Sequence, residues 1–243
     1  MKVNITLPAY NEAAVLERTV RQLVDFCQAN LRDDWHIVIA DNLSTDATPE
    51  IGKRLVQLFD TVTYCFVGSK GKGVAIKAGW QALPADVYCF MDADLATDLE
   101  ALPPLLAAVT TGGHSVAIGS RSHPESVVDL TWFRRFFSFG YRLLARVLVG
   151  TQLGDLACGF KAINQTVYQR ALPHAQNAAW FFDSELILVA EHLGFSVAEV
   201  PVRWRDIREA GDQSRVKTIQ LSIAYTRQLL DLRRRLPRRL QQP

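Results

Sequence analysis

Asp92-Ala93-Asp94 sets two carboxylates on alternate residues directly after the apolar run Tyr88-Cys89-Phe90-Met91. On an extended segment, alternate side chains point the same way. Two acids so placed repel each other unless a cation lies between or near them. Oxygen ligands of this kind suit Mg²⁺ or Mn²⁺, and a cation held there would also hold a diphosphate. A D-x-D pair alone reads equally as two solvated turn acids capping the next helix, so its place in the fold must decide. Gly68-Ser69-Lys70-Gly71-Lys72-Gly73 is a second candidate. No Ser or Thr follows a Gly-Lys there, as a Walker-type phosphate loop requires. Ile76 stands where a dinucleotide-binding loop has its third glycine, and the segment follows the third expected strand, not the first. A lysine-rich loop ahead of a helix can still meet phosphate, or be an exposed turn. Arg134 and Arg135 stand together in an aromatic stretch. The five histidines, His36, His114, His123, His174 and His192, show no metal-ligand spacing and read as structural or surface residues.

The elements that must position these groups follow from periodicity. Residues 3–7 are short, apolar and β-branched and predict a buried strand. Residues 11–30 place Val15, Leu16, Val20, Leu23, Val24 and Cys27 at i, i+3, i+4 spacing and predict a helix. Further strands are expected at 35–40, 62–67, 87–91 and 115–119. Further helices are expected from the Thr45-Asp46-Ala47-Thr48-Pro49 cap to about Phe59, at 73–83 and at 99–111. Strands alternating with helices mean βαβ units, hence an α/β fold with a mostly parallel sheet and helices on both faces. Ligands of such sheets bind outside the carboxyl ends of the strands. Pro8-Ala9-Tyr10-Asn11-Glu12, Asp41-Asn42 and Asp92-Ala93-Asp94 all end expected strands. Their convergence on one edge favours the metal–diphosphate reading of the acids. Beyond residue 119 the character changes. Residues 130–149 are aromatic, apolar and basic, 183–193 predict a helix, 197–202 a strand, and 216–235 a long basic helix.

The chain of 243 residues fits one large domain, or one domain with an added C-terminal element. From Arg203 onward, eleven basic residues face four acidic ones, so the tail carries +7 and the rest −5. That split suggests a tail that meets something anionic. Cys27, Cys65, Cys89 and Cys158 include no C-x-x-C pair; Cys65 and Cys89 read as core, and all four as reduced thiols of a cytosolic protein. The N-terminus enters a strand at once and lacks a signal-peptide layout. No run of about 18 uncharged apolar residues predicts a spanning helix.

Several motifs together resemble family 2 glycosyltransferases with the GT-A (Rossmann-like) fold. They are Leu7-Pro8-Ala9-Tyr10-Asn11-Glu12, Asp41-Asn42-Leu43-Ser44-Thr45-Asp46, Gly71-Lys72-Gly73, Met91-Asp92-Ala93-Asp94-Leu95 and Gly119-Ser120-Arg121. The second half is similar to polyprenyl-phosphate and dolichyl-phosphate glycosyltransferases. This rests on Arg134-Arg135-x-x-Ser138, Gly154-Asp155-Leu156-Ala157-Cys158-Gly159-Phe160-Lys161, Trp180-Phe181-Phe182-Asp183-Ser184-Glu185-Leu186, Glu199-Val200-Pro201-Val202-Arg203-Trp204 and Ser214-Arg215. Trp180 before the Phe-Asp-x-Glu-Leu segment looks more like the glucosyltransferase branch than the mannosyltransferase branch. The resemblance implies a nucleotide-sugar-binding half at 1–122 and an acceptor-binding half at 123–210, with a mobile loop and basic helix at 211–243. Pro8, Tyr10, Asn11, Glu12 and Asp41 would hold the nucleoside, with Lys72 near the base or diphosphate. Asp92 and Ala93 would lie at the ribose or sugar, Asp94 would bind Mg²⁺ or Mn²⁺ with Asp92, and Asp183 and Glu185 would lie beside the sugar. Arg121, Arg134, Arg135 and Ser138 would face an acceptor phosphate, and Ser214 and Arg215 would stand in the mobile loop. Three positions depart from the pattern. Asp41-Asn42-Leu43 replaces the paired Asp and Gly common at the second strand end. Ala96 stands where the mannosyl branch often has Gln, and Arg215 replaces a Lys, which keeps the charge and changes the geometry.

The chemistry follows from the acceptor. A hydroxyl acceptor needs a general base. A phosphate monoester is already an anion and needs instead cations that bring it beside a negative donor, together with charge to neutralise the departing diphosphate. Arg121, Arg134 and Arg135 suit that task. The expectation is in-line displacement with inversion, moving a hexose, glucose from UDP-glucose, onto a polyprenyl phosphate. GDP-mannose as donor and a soluble saccharide as acceptor stay open, as does a nucleotide-binding module without turnover. No nucleic-acid partner is expected, because no recognised module accompanies the basic tail. The aromatic and basic residues of 130–149, with Arg233-Arg234-Arg235 and Arg238-Arg239, suit peripheral contact with the cytoplasmic face of a membrane. The same aromatics could instead pack on the sheet.

Overall fold

The computed structural model describes residues 1–129, 132–205 and 215–236, with backbone only at 132–137 and 215–222. In chain order the elements are β1 (Lys2–Ala9), α1 (Leu16–Asn30), β2 (Asp34–Asp41), α2 (Thr48–Leu58), β3 (Val62–Phe66), α3 (Lys72–Ala82) and β4 (Val87–Met91). A 3₁₀ turn at Leu99–Ala101 leads into α4 (Leu102–Thr110), followed by β5 (Val116–Ser120), β6 (Val127–Asp129) and α5 (Trp132–Val149). The rest comprises β7 (Phe160–Asn164), α6 (Gln165–Arg170), α7 (Phe182–His192), β8 (Val197–Pro201), β9 (Arg203–Arg205) and α8 (Arg215–Arg235).

Seven strands form one sheet in the order β3-β2-β1-β4-β7-β5-β8. All neighbours run parallel except β7, which is antiparallel to both β4 and β5. A small parallel pair, β6 with β9, stands apart. Val3, Ile5 and Leu7 of β1 face a core built with α1 and α4, whereas Phe90, Ile118 and Ile163 face a second core built with α3, α5, α7 and α8. Helices thus cover both faces, as the alternation of elements requires. Leu229 and Leu232 of α8 are fully buried, so the C-terminal helix belongs to the second core.

Three boundaries differ from expectation for local reasons. α1 begins at Leu16, not at residue 11, because Asn11 adopts a left-handed φ of 57° and its side chain accepts from Thr45 N instead of starting a helix. The helix expected at 99–111 splits because Pro103 and Pro104 lack N–H groups and are tolerated only in a first turn, which places the α-helix start at Leu102. β7 was not expected at all. Its run carries Lys161, fully buried, in mid-strand, and this charge breaks the apolar pattern that marks a central strand. Cys65, expected in the core, is only half-buried because β3 is an edge strand.

One buried polar staple fixes α3 against β1. Asn4 Nδ2 donates to Gly79 O (3.0 Å) and Leu83 O (2.9 Å), while Asn4 Oδ1 accepts from Thr6 Oγ1 (2.8 Å). It satisfies carbonyls at the end of α3 that have no partner within the helix. A Cβ on Gly79 would stand 2.5 Å from Thr6, so helix and strand are in direct contact. Because α3 carries Lys72 at its other end, the staple positions the site as well as the core. Asn4→Ala should lower the unfolding free energy by about 2–4 kcal/mol, since it strands buried polar groups and leaves a cavity. Urea denaturation of the variant checks this; an unchanged midpoint would refute the staple's role.

Candidate active site

The carboxyl ends of β1 and β2 build one side of the site. Their loops are stitched together across the gap. Asn11 N donates to Ser44 Oγ (2.9 Å), Glu12 N to Thr48 Oγ1 (2.8 Å) and Ala13 N to Asp46 Oδ2 (3.1 Å). Asp41 is fully buried: Tyr64 Oη donates to its Oδ2 (2.6 Å) and Ser44 N to its Oδ1 (3.0 Å). In this structure Asp41 therefore organises the loop and presents no open face to a nucleoside. Leu43, which stands where a glycine is usual, takes a left-handed φ of 58°. Exposed Tyr10 stacks beneath the Lys70 ammonium, 5.1 Å from the ring centroid, and its hydroxyl accepts from the same group (3.1 Å). Pro8 is half-buried.

The centre of the site is a lysine between two acids. Lys72 Nζ lies 2.7 Å from Asp92 Oδ1 and 2.6 Å from Asp183 Oδ2, and Lys72 is only 7% exposed. Burial works against its charge, but the two carboxylates outweigh burial and hold the ammonium protonated well above the usual lysine range. Lys72 opens α3, where a cation opposes the helix dipole; Asp183, in the first turn of α7, is favoured by its own. Asp183 Oδ1 is buried without a hydrogen-bond partner. The ring of Trp180, which is itself exposed, lies 5.1 Å from Lys72 Nζ. Two glycines permit these approaches. A Cβ on Gly159 would stand 2.0 Å from Asp92 Oδ2, and one on Gly71, at φ 142°, would stand 2.1 Å from Ala178 O. Ala93 is buried, and its carbonyl accepts from Thr19 Oγ1 (2.7 Å), which anchors the turn. Asp94 is half-buried, and its Oδ1 accepts from Ala96 N (3.0 Å).

On the other side, Arg121 follows β5 and forms a forked pair with Asp155: Nε to Oδ2 (2.6 Å) and Nη2 to Oδ1 (2.9 Å). The Arg121 backbone N–H also donates to Oδ2 (3.0 Å), and the guanidinium lies 5.5 Å from the Trp204 ring centroid. Burial would raise the Asp155 pKa, but the Arg121 charge and hydrogen bonds prevail and hold it below the usual carboxylate range. Beside this pair is a cavity of about 390 Å³. It is lined by the polar Arg121, Ser122, Ser126, Arg142 and Asp155 and by the apolar Val128, Phe139, Leu153 and Leu156. Ser138, expected at the acceptor, lines it too.

The structure thus brings Lys72, Asp92 and Asp183 into contact and sets Arg121 and Ser138 on the adjoining cavity. It does not place Glu185 with them: that carboxylate, fully buried, pairs with Arg235 Nη2 (2.8 Å) and accepts from Asn177 N. Arg235 is therefore committed inward and corrects the expectation that all of Arg233-Arg234-Arg235 faces lipid. Arg134 and Arg135 lie on α5 and Arg215 opens α8; their side chains, with Ser214, Arg238 and Arg239, lie outside the described residues. Sequence reasoning assigns no role to Asp155, Trp204 or Lys161, and reads Arg142 only among the basic residues of 130–149 suited to a membrane surface. Asp155 and Lys161 were within a quoted motif, and Arg142 lay in the aromatic stretch. Only the fold shows that Asp155 meets Arg121.

An α/β sheet with its charged groups gathered at the carboxyl edge defines the class. The chain belongs to glycosyl transferase family 2, whose family model matches residues 5–172. It is 34% identical over 206 residues to glycosyltransferase AglD of Haloferax volcanii, covering 84% of this chain and 33% of that one. It is 25% identical over 224 residues to dolichyl-phosphate beta-glucosyltransferase of Saccharomyces cerevisiae, covering 84% and 67%. The chain thus spans only a third of the first relative. Glucosyl-3-phosphoglycerate synthase of Mycobacterium tuberculosis, solved with Mn²⁺, UDP and glucosyl-3-phosphoglycerate, superposes with a TM-score of 0.65 at 18% identity, over 97% of this chain and 80% of that one. The fold is GT-A.

The depressed Asp155 pKa makes a signed prediction. Its stabilisation is fully present above the ordinary carboxylate pKa of about 4 and is lost as pH falls through the lowered folded value. Asp155→Asn should cost about 3–5 kcal/mol at pH 7, because it leaves Arg121 buried without its counter-ion. The gap from wild type should narrow below about pH 4. Urea unfolding at pH 7 and pH 3 tests this; equal gaps at both would refute it.

Proposed function

We propose that this chain moves a hexose, glucose from UDP-glucose, onto a polyprenyl phosphate at the cytoplasmic face of a membrane, with inversion at the anomeric carbon. The observation that carries the reading is the cavity beside Arg121. Its arginines and hydroxyls suit a phosphate monoester and its apolar side chains suit an isoprenoid chain. The cavity meets α5, on which Phe139, Leu143 and Val147 are exposed at i, i+4, i+8 spacing and form an apolar stripe. Arg142 lies 5.5 Å from the Phe139 ring, and Arg146 is exposed one turn on. An apolar stripe with arginines suits the headgroup boundary. No helix among the described residues is long and apolar enough to cross a membrane. The yeast relative's name supports the same acceptor and sugar.

Each part of the site has a task in this reading. Tyr10, Asn11 and Glu12 flank the nucleoside, and Lys72 holds Asp92 and Asp183 oriented toward the sugar. Arg121, fixed by Asp155, receives the acceptor phosphate. Mg²⁺ or Mn²⁺ fits the donor set, because Asp94 and Asp92 are hard oxygen ligands at a strand end. Among the described residues no group of three or more His, Cys, Asp or Glu is placed to bind metal. Two carboxylates completed by diphosphate oxygens are the usual arrangement for Mg²⁺. When bound, the ion supplies charge that neutralises the departing diphosphate.

The test offers radiolabelled nucleotide-sugars with Mg²⁺ or Mn²⁺ and undecaprenyl phosphate. Label should enter the organic phase from UDP-glucose. Label from GDP-mannose alone would overturn the donor assignment, and no lipid-linked product from any donor would overturn the reading. Asp94→Ala should abolish transfer with its melting temperature unchanged, and chelator should abolish it in the wild type. Undiminished transfer in either case would remove the metal from this site.

A further inference from the structure

Asp155 holds the Arg121 guanidinium along one edge. The fork takes the Nε hydrogen and one Nη2 hydrogen, so three of the five N–H groups remain for an anion. A group held along one edge can still rock about it. The guanidinium is met by Trp204, whose ring centroid lies 5.5 Å from Arg121 Cζ. Trp204 is half-buried, packs against the core built with α1 and α4, and stands outside the lining of the cavity. Any effect it has on a ligand there passes through Arg121.

Trp204 is itself placed from two sides, because β9 runs between the D-x-D turn and β6. On one edge Asp98 N donates to Arg203 O (2.9 Å) and Arg205 N to Ala96 O (2.9 Å), which sets Trp204 opposite Thr97. Ala96 N in turn donates to Asp94 Oδ1 (3.0 Å). On the other edge β6 runs parallel, with Val128 of the cavity opposite Trp204. The Ser126 hydroxyl closes the frame. It donates to the carbonyl of Ser120, the residue before Arg121 (2.6 Å), and accepts from the N–H of Val202, two residues before Trp204 (2.9 Å). Arginine and indole are thus fixed to each other through the backbone, and both to the D-x-D turn.

We propose that Trp204 is a positioning residue for the acceptor: its ring steadies the Arg121 guanidinium so that the N–H groups not taken by Asp155 meet the acceptor's phosphate. The inference rests on the acceptor reading above. An aromatic face attracts a guanidinium through its quadrupole, and an aliphatic side chain offers no such attraction. The indole makes and breaks no bond and moves no proton. Its anchorage on the D-x-D turn sets the arginine at a fixed place relative to Asp94.

Trp204→Leu removes the aromatic face and keeps an apolar side chain, whereas Trp204→Phe keeps a smaller aromatic face. With undecaprenyl phosphate varied at saturating UDP-glucose, Trp204→Leu should raise the acceptor KM roughly 3- to 30-fold, the range of a cation–π contact. Trp204→Phe should recover most of that loss, and kcat should change less than KM in both. UDP-glucose binding in the presence of Mn²⁺, measured by calorimetry, should match the wild type. An unchanged acceptor KM in Trp204→Leu would overturn the proposal. Equal losses in the two variants would overturn it as well, since they would mark a packing role. Donor binding that weakens in step with the acceptor KM would do the same, by showing a general loosening of the D-x-D turn. Absence of transfer by the wild-type protein would instead remove the acceptor reading, and the proposal with it.

Discussion

The ion pairs of Lys72 with Asp92 and Asp183 are the constraint on which the rest of the structure depends. An ammonium almost closed off from water is tolerable only with close counter-charges. Asp92 comes from the end of β4 and Asp183 from the first turn of α7, so the lysine ties the first half of the sheet to the helices of the second half. Other features exist to permit this contact. Gly159 leaves room for the Asp92 carboxylate, Gly71 lets the loop pass Ala178, and Asn4 holds the far end of α3. A buried charge cluster of this kind is weak evidence for stability, because apolar replacements pack as well or better. It is better understood as a device that fixes orientation.

The antiparallel strand β7 extends the same logic. Its insertion between β4 and β5 separates the Asp92 and Arg121 strand ends by one strand. The residues just before it, Asp155 to Gly159, fill the space so created. Asp155 forks onto Arg121, Leu156 O accepts from both Lys161 and Ser184, and Gly159 O accepts from Asp92 N (3.0 Å). One short segment therefore links the groups around Lys72 with those around Arg121. Moving Asp155 would shift Arg121 and, through Leu156, the helix that carries Asp183.

The first half of the fold was legible because its physics is local. Apolar period and caps mark β1 to β5, and the carboxyl-edge rule then brings Pro8 to Glu12, Asp41 and Asp92 together before any coordinates are known. Sequence order could not show what those residues do once assembled. Asp41 carries the right chemistry at the right strand end, yet Tyr64, 23 residues on, caps it from the edge strand. Glu185 is two residues from Asp183, and on a helix that spacing turns it toward a different face, where Arg235 meets it. Arg235 read as part of a solvated basic run because its partner lies 50 residues away. β7 was hidden by Lys161, whose charge is acceptable in a central strand only because Asp183 and Asp155 act on it from other elements. Long-range polar contact links every one of these cases, and periodicity carries no trace of it.

Charge counting explains why the proposed chemistry needs more than these groups. Lys72, Lys161, Arg121 and Arg142 stand against Asp92, Asp94, Asp155 and Asp183, so the described centre has no surplus of positive charge. Burial further pushes the Lys161 ammonium down, which weakens its share. On the proposed reading, a diphosphate and a phosphate monoester must both enter this region. Fixed positive charge is then required from outside the cluster, and a divalent ion at Asp92 and Asp94 with Arg134 and Arg135 of α5 is where the sequence offers it. The balance of charge has the same sense. An empty site with surplus cations would trap any passing anion, whereas a balanced one favours the donor only when its metal arrives with it.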